Sequence, residues 1–233
     1  MTKIDLSKFK MLVGCPDYQP DSRAITELVM KGVREEEKTY GPVFATRFIK
    51  YALELEGEKI GEEPPEDIKT LDQLVEYLVS KTDKYPPYCT VFYAQIKTEN
   101  DIQGQTGAGT RIEIMSLTKN LVKTRGIEDR DVDVDGAILK FNQVITSIKV
   151  NPGYWGYKKN EDGSLDGILP KCYYLDVCKL AFDEDLLIRP NGRMRCGIIA
   201  FLCQYLSLVT GYDWDYDILD FHAPYCIARF FML

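Results

Sequence analysis

Histidine is almost missing from this sequence: His222 is the only one in 233 residues. That scarcity excludes catalytic zinc sites built on several imidazoles. No Cys-x-x-Cys pair occurs either, which removes paired-thiolate zinc motifs and thioredoxin-type redox motifs. Basic residues are outnumbered 29 to 36, for a net charge of −7 and a pI near 5.0. A phosphate backbone needs a concentrated basic field. The densest groups here, Lys119–Lys123–Arg125 and Lys158–Lys159, read as solvated faces, so no nucleic-acid partner is expected. The strongest apolar run, Cys196 to Val209, contains Gln204 and is too short to cross a bilayer. Leu12-Val13-Gly14-Cys15 has the form of a lipoprotein cleavage box, but Asp5, Lys8 and Lys10 occupy the place of its apolar core. No membrane partner and a cytoplasmic location are the expectations. The seven cysteines are odd in number and follow no secretion signal, so no disulfide framework is expected. Most read as small buried apolar groups.

What remains is the composition of a folded chain, 45% hydrophobic and 28% charged. Asp21 or Ser22 caps a helix bearing Ile25, Leu28, Val29 and Val33 on one face. Gly41-Pro42 breaks the chain and starts a second helix through Phe44, Phe48, Tyr51, Ala52 and Leu55. Thr70-Leu71-Asp72-Gln73 has the form of a capping box. Cys89 to Lys97, rich in β-branched and aromatic residues, reads as a β-strand. A helix follows from about Arg111 to Thr124, and Asp135 caps another through Ile138, Leu139, Val144, Ile145 and Ile148. Aromatic residues before Asp162-Gly163 and apolar ones after it predict a β-hairpin. A short helix or turn spans Cys172 to Ala181. A buried helix runs from Arg195 to Val209 and stops near Gly211, and a strand from Tyr225 to Met232 ends the chain. The expected architecture is α+β, one domain of amphipathic helices packed on a mostly antiparallel sheet. Its N-terminal part, about 1–84, is helical, and the part from about 85 to 233 is mixed.

Four features could carry chemistry. Gly104 to Gly109 with Thr110 and Arg111 has the outline of an anion-binding turn, but it lacks the Gly-Lys-Ser/Thr ending of a P-loop. Cys196 and Cys203, seven apart on one helix, would lie about 10 Å apart along its axis, too far to share an ion. No metal site is expected. His222 and Cys226 are the types that make an activated thiolate, with Asp220 able to orient the imidazole. Pro224 between them disfavours a helix, and an extended chain would hold them roughly 13 Å apart. Fifteen tyrosines and two tryptophans concentrate at Tyr154-Trp155-Gly156-Tyr157, Tyr173-Tyr174 and Tyr212 to Tyr216. Such rings suit the lining of a small-molecule pocket.

The last forty residues resemble the end of 4-vinyl-reductase-like (hydrocarbon-binding) domains. The residues that carry this are an apolar helix opening with Cys196-Gly197, the stop at Gly211, then Ala223-Pro224-Tyr225-Cys226 and Phe230-Phe231. The helix from Val43 to Gly61, with Glu58-Lys59-Ile60-Gly61, is similar to an early helix of that domain. The likeness also touches hydrolase-like proteins acting on aminothiazoline carboxylate. Where the family often has Gly-Asp before its final cysteine, this chain has Ala223-Pro224. The resemblance implies an α+β module that holds a small organic molecule.

Together these readings predict a cytoplasmic protein that binds or senses a small, partly apolar ligand. Tyr154, Trp155, Tyr173, Arg195 and Cys196 would line the pocket beside His222, with Arg195 supplying a counter-charge. Two other classes compete. One is an enzyme, a cysteine-dependent hydrolase or a reductase of a small organic acid or cofactor precursor, with Cys226, His222 and Cys172 as its catalytic candidates. The other is an accessory subunit or homodimer that docks through its apolar C-terminal residues Phe230 to Leu233. No motif specifies a cofactor.

Overall fold

The computed structural model describes residues 5–12, 21–103, 108–126, 133–150, 155–170, 172–187, 193–221 and 225–233; for residue 103 and residues 108–113 it describes the backbone alone. Among these residues the chain forms eight α-helices and a five-stranded antiparallel sheet, an α+β fold as the sequence predicts. Its contacts divide into two compact units, residues 21–113 with 176–192, and residues 1–20 with 114–175 and 193–233.

The first unit is helical. Asp21 caps α1 (Ser22–Tyr40) by accepting from the Ala24 N–H, and Gly41, at φ 75°, lets the chain turn directly into α2 (Pro42–Ile60). Thr70 and Gln73 close the expected capping box at the start of α3 (Leu71–Ser80). Phe44, Phe48, Leu74, Leu78, Val33 and Val91 fill the core between these helices and α4 (Pro87–Gln103).

Helix α4 corrects the strand expected over Cys89 to Lys97. Pro87 starts the helix, where its missing N–H is not needed, so it does not act as a stop. Every residue from Cys89 to Ile96 is buried, because α1, α2 and α3 all pack on α4. A helix enclosed on all sides shows no polar face, and its continuous apolar run then looks like a strand. Beyond α7 (Leu175–Asp183), Glu184 receives the Tyr93 hydroxyl at 2.8 Å and Lys97 at 3.2 Å, which ties this segment to α4.

The second unit is the sheet and its helices. The part of α5 (Ala108–Arg125) from Ile114 onward belongs to it, and so does α6 (Val134–Ser147). Asp133 caps α6, not Asp135: its side chain accepts from Gly136 N–H at 2.7 Å. Asp135 sits one turn in and takes Lys159 at 2.8 Å and the Tyr157 hydroxyl. The predicted hairpin forms between β2 (Trp155–Lys159) and β3 (Leu165–Pro170), with Gly163 at φ 82° in its turn. After α8 (Gly197–Thr210) come β4 (Trp214–Asp220) and β5 (Tyr225–Met232). With β1 (Lys10–Leu12), the strand order is β1-β2-β3-β5-β4. Strand β4 lies where only an aromatic cluster was read, although its period-2 pattern is plain: Trp214 and Tyr216 are buried while Asp215 and Asp217 face away.

The two sheet faces differ. On one, a register row runs Lys158–Asp166–Arg229–Asp217, joined by ion pairs of 3.0 Å (Lys158–Asp166) and 2.7 Å (Arg229–Asp166). Arg193 closes the row on Asp217 at 2.9 Å and Asp215 at 2.7 Å. Alternating charges opposite one another set strand register, since a one-residue slip would lose every pair. The other face is apolar and lies under α6 and α8.

Candidate ligand-binding site

On the apolar face, Leu12 of β1 stands opposite Trp155 of β2, and Leu169 of β3 stands opposite Cys226 of β5. All four are buried. Helix α6 lays Phe141 against this face. Its ring meets Trp155 edge-on, with centroids 6.4 Å apart, and contacts Phe201 of α8 at 5.2 Å and Tyr205 at 5.4 Å. The Trp155 indole N–H donates to Asn142 Oδ1 at 2.7 Å, so its polar edge is satisfied and its ring direction is set.

Between these surfaces lies a hollow. Phe141 and Ile145 of α6, Ile198, Ile199 and Leu202 of α8, and Trp155, Leu169 and Phe230 of the sheet line it. Its cavity volume is about 20 Å³, room for about one water molecule. A ligand would therefore have to move α8 or α6 off the sheet. Gly167 also borders it: a Cβ there would lie 3.0 Å from the Phe230 ring, so the bare backbone lets that ring lie close to β3.

Three thiols from separate parts of the sequence lie within electrostatic reach of one another. Cys226 is opposite Leu169, Cys172 lies two residues beyond the end of β3, and Cys196 is the N-cap residue of α8, two residues before the hollow-lining Ile198. The Tyr216 hydroxyl holds the Cys196 backbone, accepting from its N–H at 3.1 Å and donating to its carbonyl at 3.3 Å. Burial pushes the Cys172 thiol up to about 12, with the Cys196 charge adding to the shift and the Tyr174 N–H opposing it. Burial likewise raises Cys196, although the Ile199 and Ile198 N–H groups at the helix start point toward its sulfur. Neither closes a capping hydrogen bond. Cys226 is raised by burial first, then by Cys196, Cys172 and Asp220. Part of Cys172 and Cys196 still reaches solvent, so it is the density of surrounding protein that penalises their thiolates. All three are neutral thiols near pH 7, the opposite of the depressed pKa that a cysteine nucleophile needs. Among the described residues no three His, Cys, Asp or Glu side chains are arranged to hold a metal ion.

The structure thus brings Cys172, Cys196 and Cys226 close to one another and places Trp155 in the wall of the hollow. Arg195, one residue before the α8 cap, is buried in the same unit at 6% exposure. Tyr173 is not among the lining residues; its hydroxyl donates to the Val150 carbonyl at 3.2 Å and its ring lies 4.7 Å from that of Tyr174. Tyr154 and His222 lie outside the described residues, as do Gly104 to Gly107. The aromatic clusters of the sequence mark little of the hollow's wall, which is built mostly by aliphatic residues of α8 and α6 and by inward positions of β3 and β5. No helix of the described residues is long and apolar enough to cross a membrane. Comparison with protein-family models, curated proteins and solved structures gives no match for this chain.

Proposed function

We propose that the sheet unit is a cytoplasmic binding or sensing module for a small, partly apolar organic molecule, held between the sheet and helices α6 and α8. The observation that carries this reading is the carbon-lined hollow among Phe141, Trp155, Leu169 and Ile199. Apolar walls favour an apolar body by removing its surface from water. The thiols, with Arg195 buried in the same unit, would face the ligand's more polar part. Neutral thiols support binding over hydrolysis, because a hydrolase would require one of them as thiolate.

The experiment is thermal denaturation read by tryptophan fluorescence, with toluene, octanoate and benzoate as separate probes. Both tryptophans, Trp155 and Trp214, belong to this unit, so the signal reports on it. A ligand present at 100 times its Kd stabilises the native state by about 2.7 kcal/mol. A Tm that rises with one probe class, and no longer rises once Leu169→Phe fills the hollow, is the expected result. An unchanged Tm with all three probes at millimolar concentration would end this reading.

A further inference from the structure

The helical unit buries a carboxyl group that lacks a cation. Glu56 lies in α2 with no exposed surface. Its Oε2 accepts the Thr90 hydroxyl of α4 at 2.6 Å, and its Oε1 has no hydrogen-bond partner. Thr90 is itself fully buried. The surrounding elements offer little to a negative charge. From α3 come Tyr77 and, at its C-cap, Lys81, whose ammonium is already donated to Glu62 at 2.7 Å. From the turn before α4 comes Tyr85, which also feels Cys89 and Asp176 of α7. One hydroxyl, and one ammonium already bonded to Glu62, do not compensate a fully desolvated carboxylate.

We propose that Glu56 is a proton-responsive latch: as a neutral acid it lets α2 and α4 close on each other, and its ionisation opens that seam. The closed state holds the proton more tightly than the open one, because burial raises the Glu56 pKa while Thr90, and less strongly Lys81, oppose the shift. For an acid raised on closing, the closed state is favoured in full below the ordinary glutamate value of about 4.3. That advantage is lost as pH rises through the raised value. Between the two values the open population grows tenfold per pH unit, and above the raised value it levels off. Opening would uncover Cys89, the neighbour of Thr90, which is 4% exposed when the seam is closed.

Cys89 therefore serves as the reporter. The full chain and Glu56→Gln are treated with N-ethylmaleimide at pH 5 to 8, and labelling of the Cys89 peptide is timed by mass spectrometry. The rate ratio between the two proteins cancels the thiol's own titration. The expected result is a ratio that rises with pH and then levels. A ratio constant across this range overturns the proposal. Should Glu56→Gln fail to fold, Thr90→Val takes its place: losing the one hydroxyl that favours the ionised form moves the plateau to higher pH. A plateau shared with the unmodified chain overturns it equally.

Discussion

Replacing Leu202 by alanine tests whether the hollow is a real gap in the packing. Leu202 is 5% exposed on α8 and lines the hollow, so its loss removes buried carbon and enlarges an existing space. Withdrawing about three methylene equivalents from the interior costs about 2.4 kcal/mol in transfer free energy alone. The walls can collapse little, because Trp155 is fixed to Asn142 and Phe141 is wedged among Trp155, Phe201 and Tyr205. A cavity term therefore adds to the transfer cost, for a total of about 3–4 kcal/mol. Urea unfolding followed by tryptophan fluorescence should show a midpoint about 1.5–2 M lower, for a slope of about 2 kcal/mol/M. Toluene should then restore more stability to Leu202→Ala than to the unmodified chain. Leu206→Ala is the control: Leu206 is fully buried one turn further along α8 but does not line the hollow. It should lose comparable stability and gain nothing from toluene. A loss under about 1 kcal/mol for Leu202→Ala, or equal rescue of both variants, would refute the packing argument.

Other consequences can be measured directly. With a pKa near 12, Cys172 should react with iodoacetamide at pH 8 roughly a thousandfold more slowly than a thiol of ordinary pKa, about 8.5; labelling at the rate of the urea-unfolded chain would contradict its burial. Asp166 is held below the usual carboxylate range: burial works against this, but Arg229 and Lys158 outweigh it. The depressed pKa means this contribution is present above the unfolded value, about 3.9, and is lost as pH falls through the folded one. Arg229→Met should therefore cost about 1–3 kcal/mol at pH 7, discounted because Arg229 is 42% exposed, and should flatten the acid limb of a fluorescence-detected stability profile. An unchanged limb would show that Lys158 alone suffices. Thr70→Ala breaks the capping box of α3 and should cost about 1 kcal/mol, read as a lower Tm by far-UV circular dichroism; an equal Tm would mean the box adds nothing.

Local chemistry by itself determined much of this protein. Asp21, the Thr70–Gln73 box, Gly41-Pro42 and the Asp162-Gly163 turn all act within a few residues, so their effects can be read without knowing what lies beyond them. The terminal strand and α8 were legible for a related reason, because burial on one face or a stop at Gly211 leaves a pattern in the residues themselves. Only tertiary structure decided that Cys89 to Ile96 is helical, since burial on every side erases the period that tells helix from strand. It alone brought Cys172, Cys196 and Cys226 to one place, and set Ile199 and Leu202 against Trp155 and Leu169. The thiols come from three segments up to 54 positions apart in the chain, and the sequence carries no measure of which distant strand edge faces which helix end. Register and helix docking set those distances, and both are properties of the folded sheet.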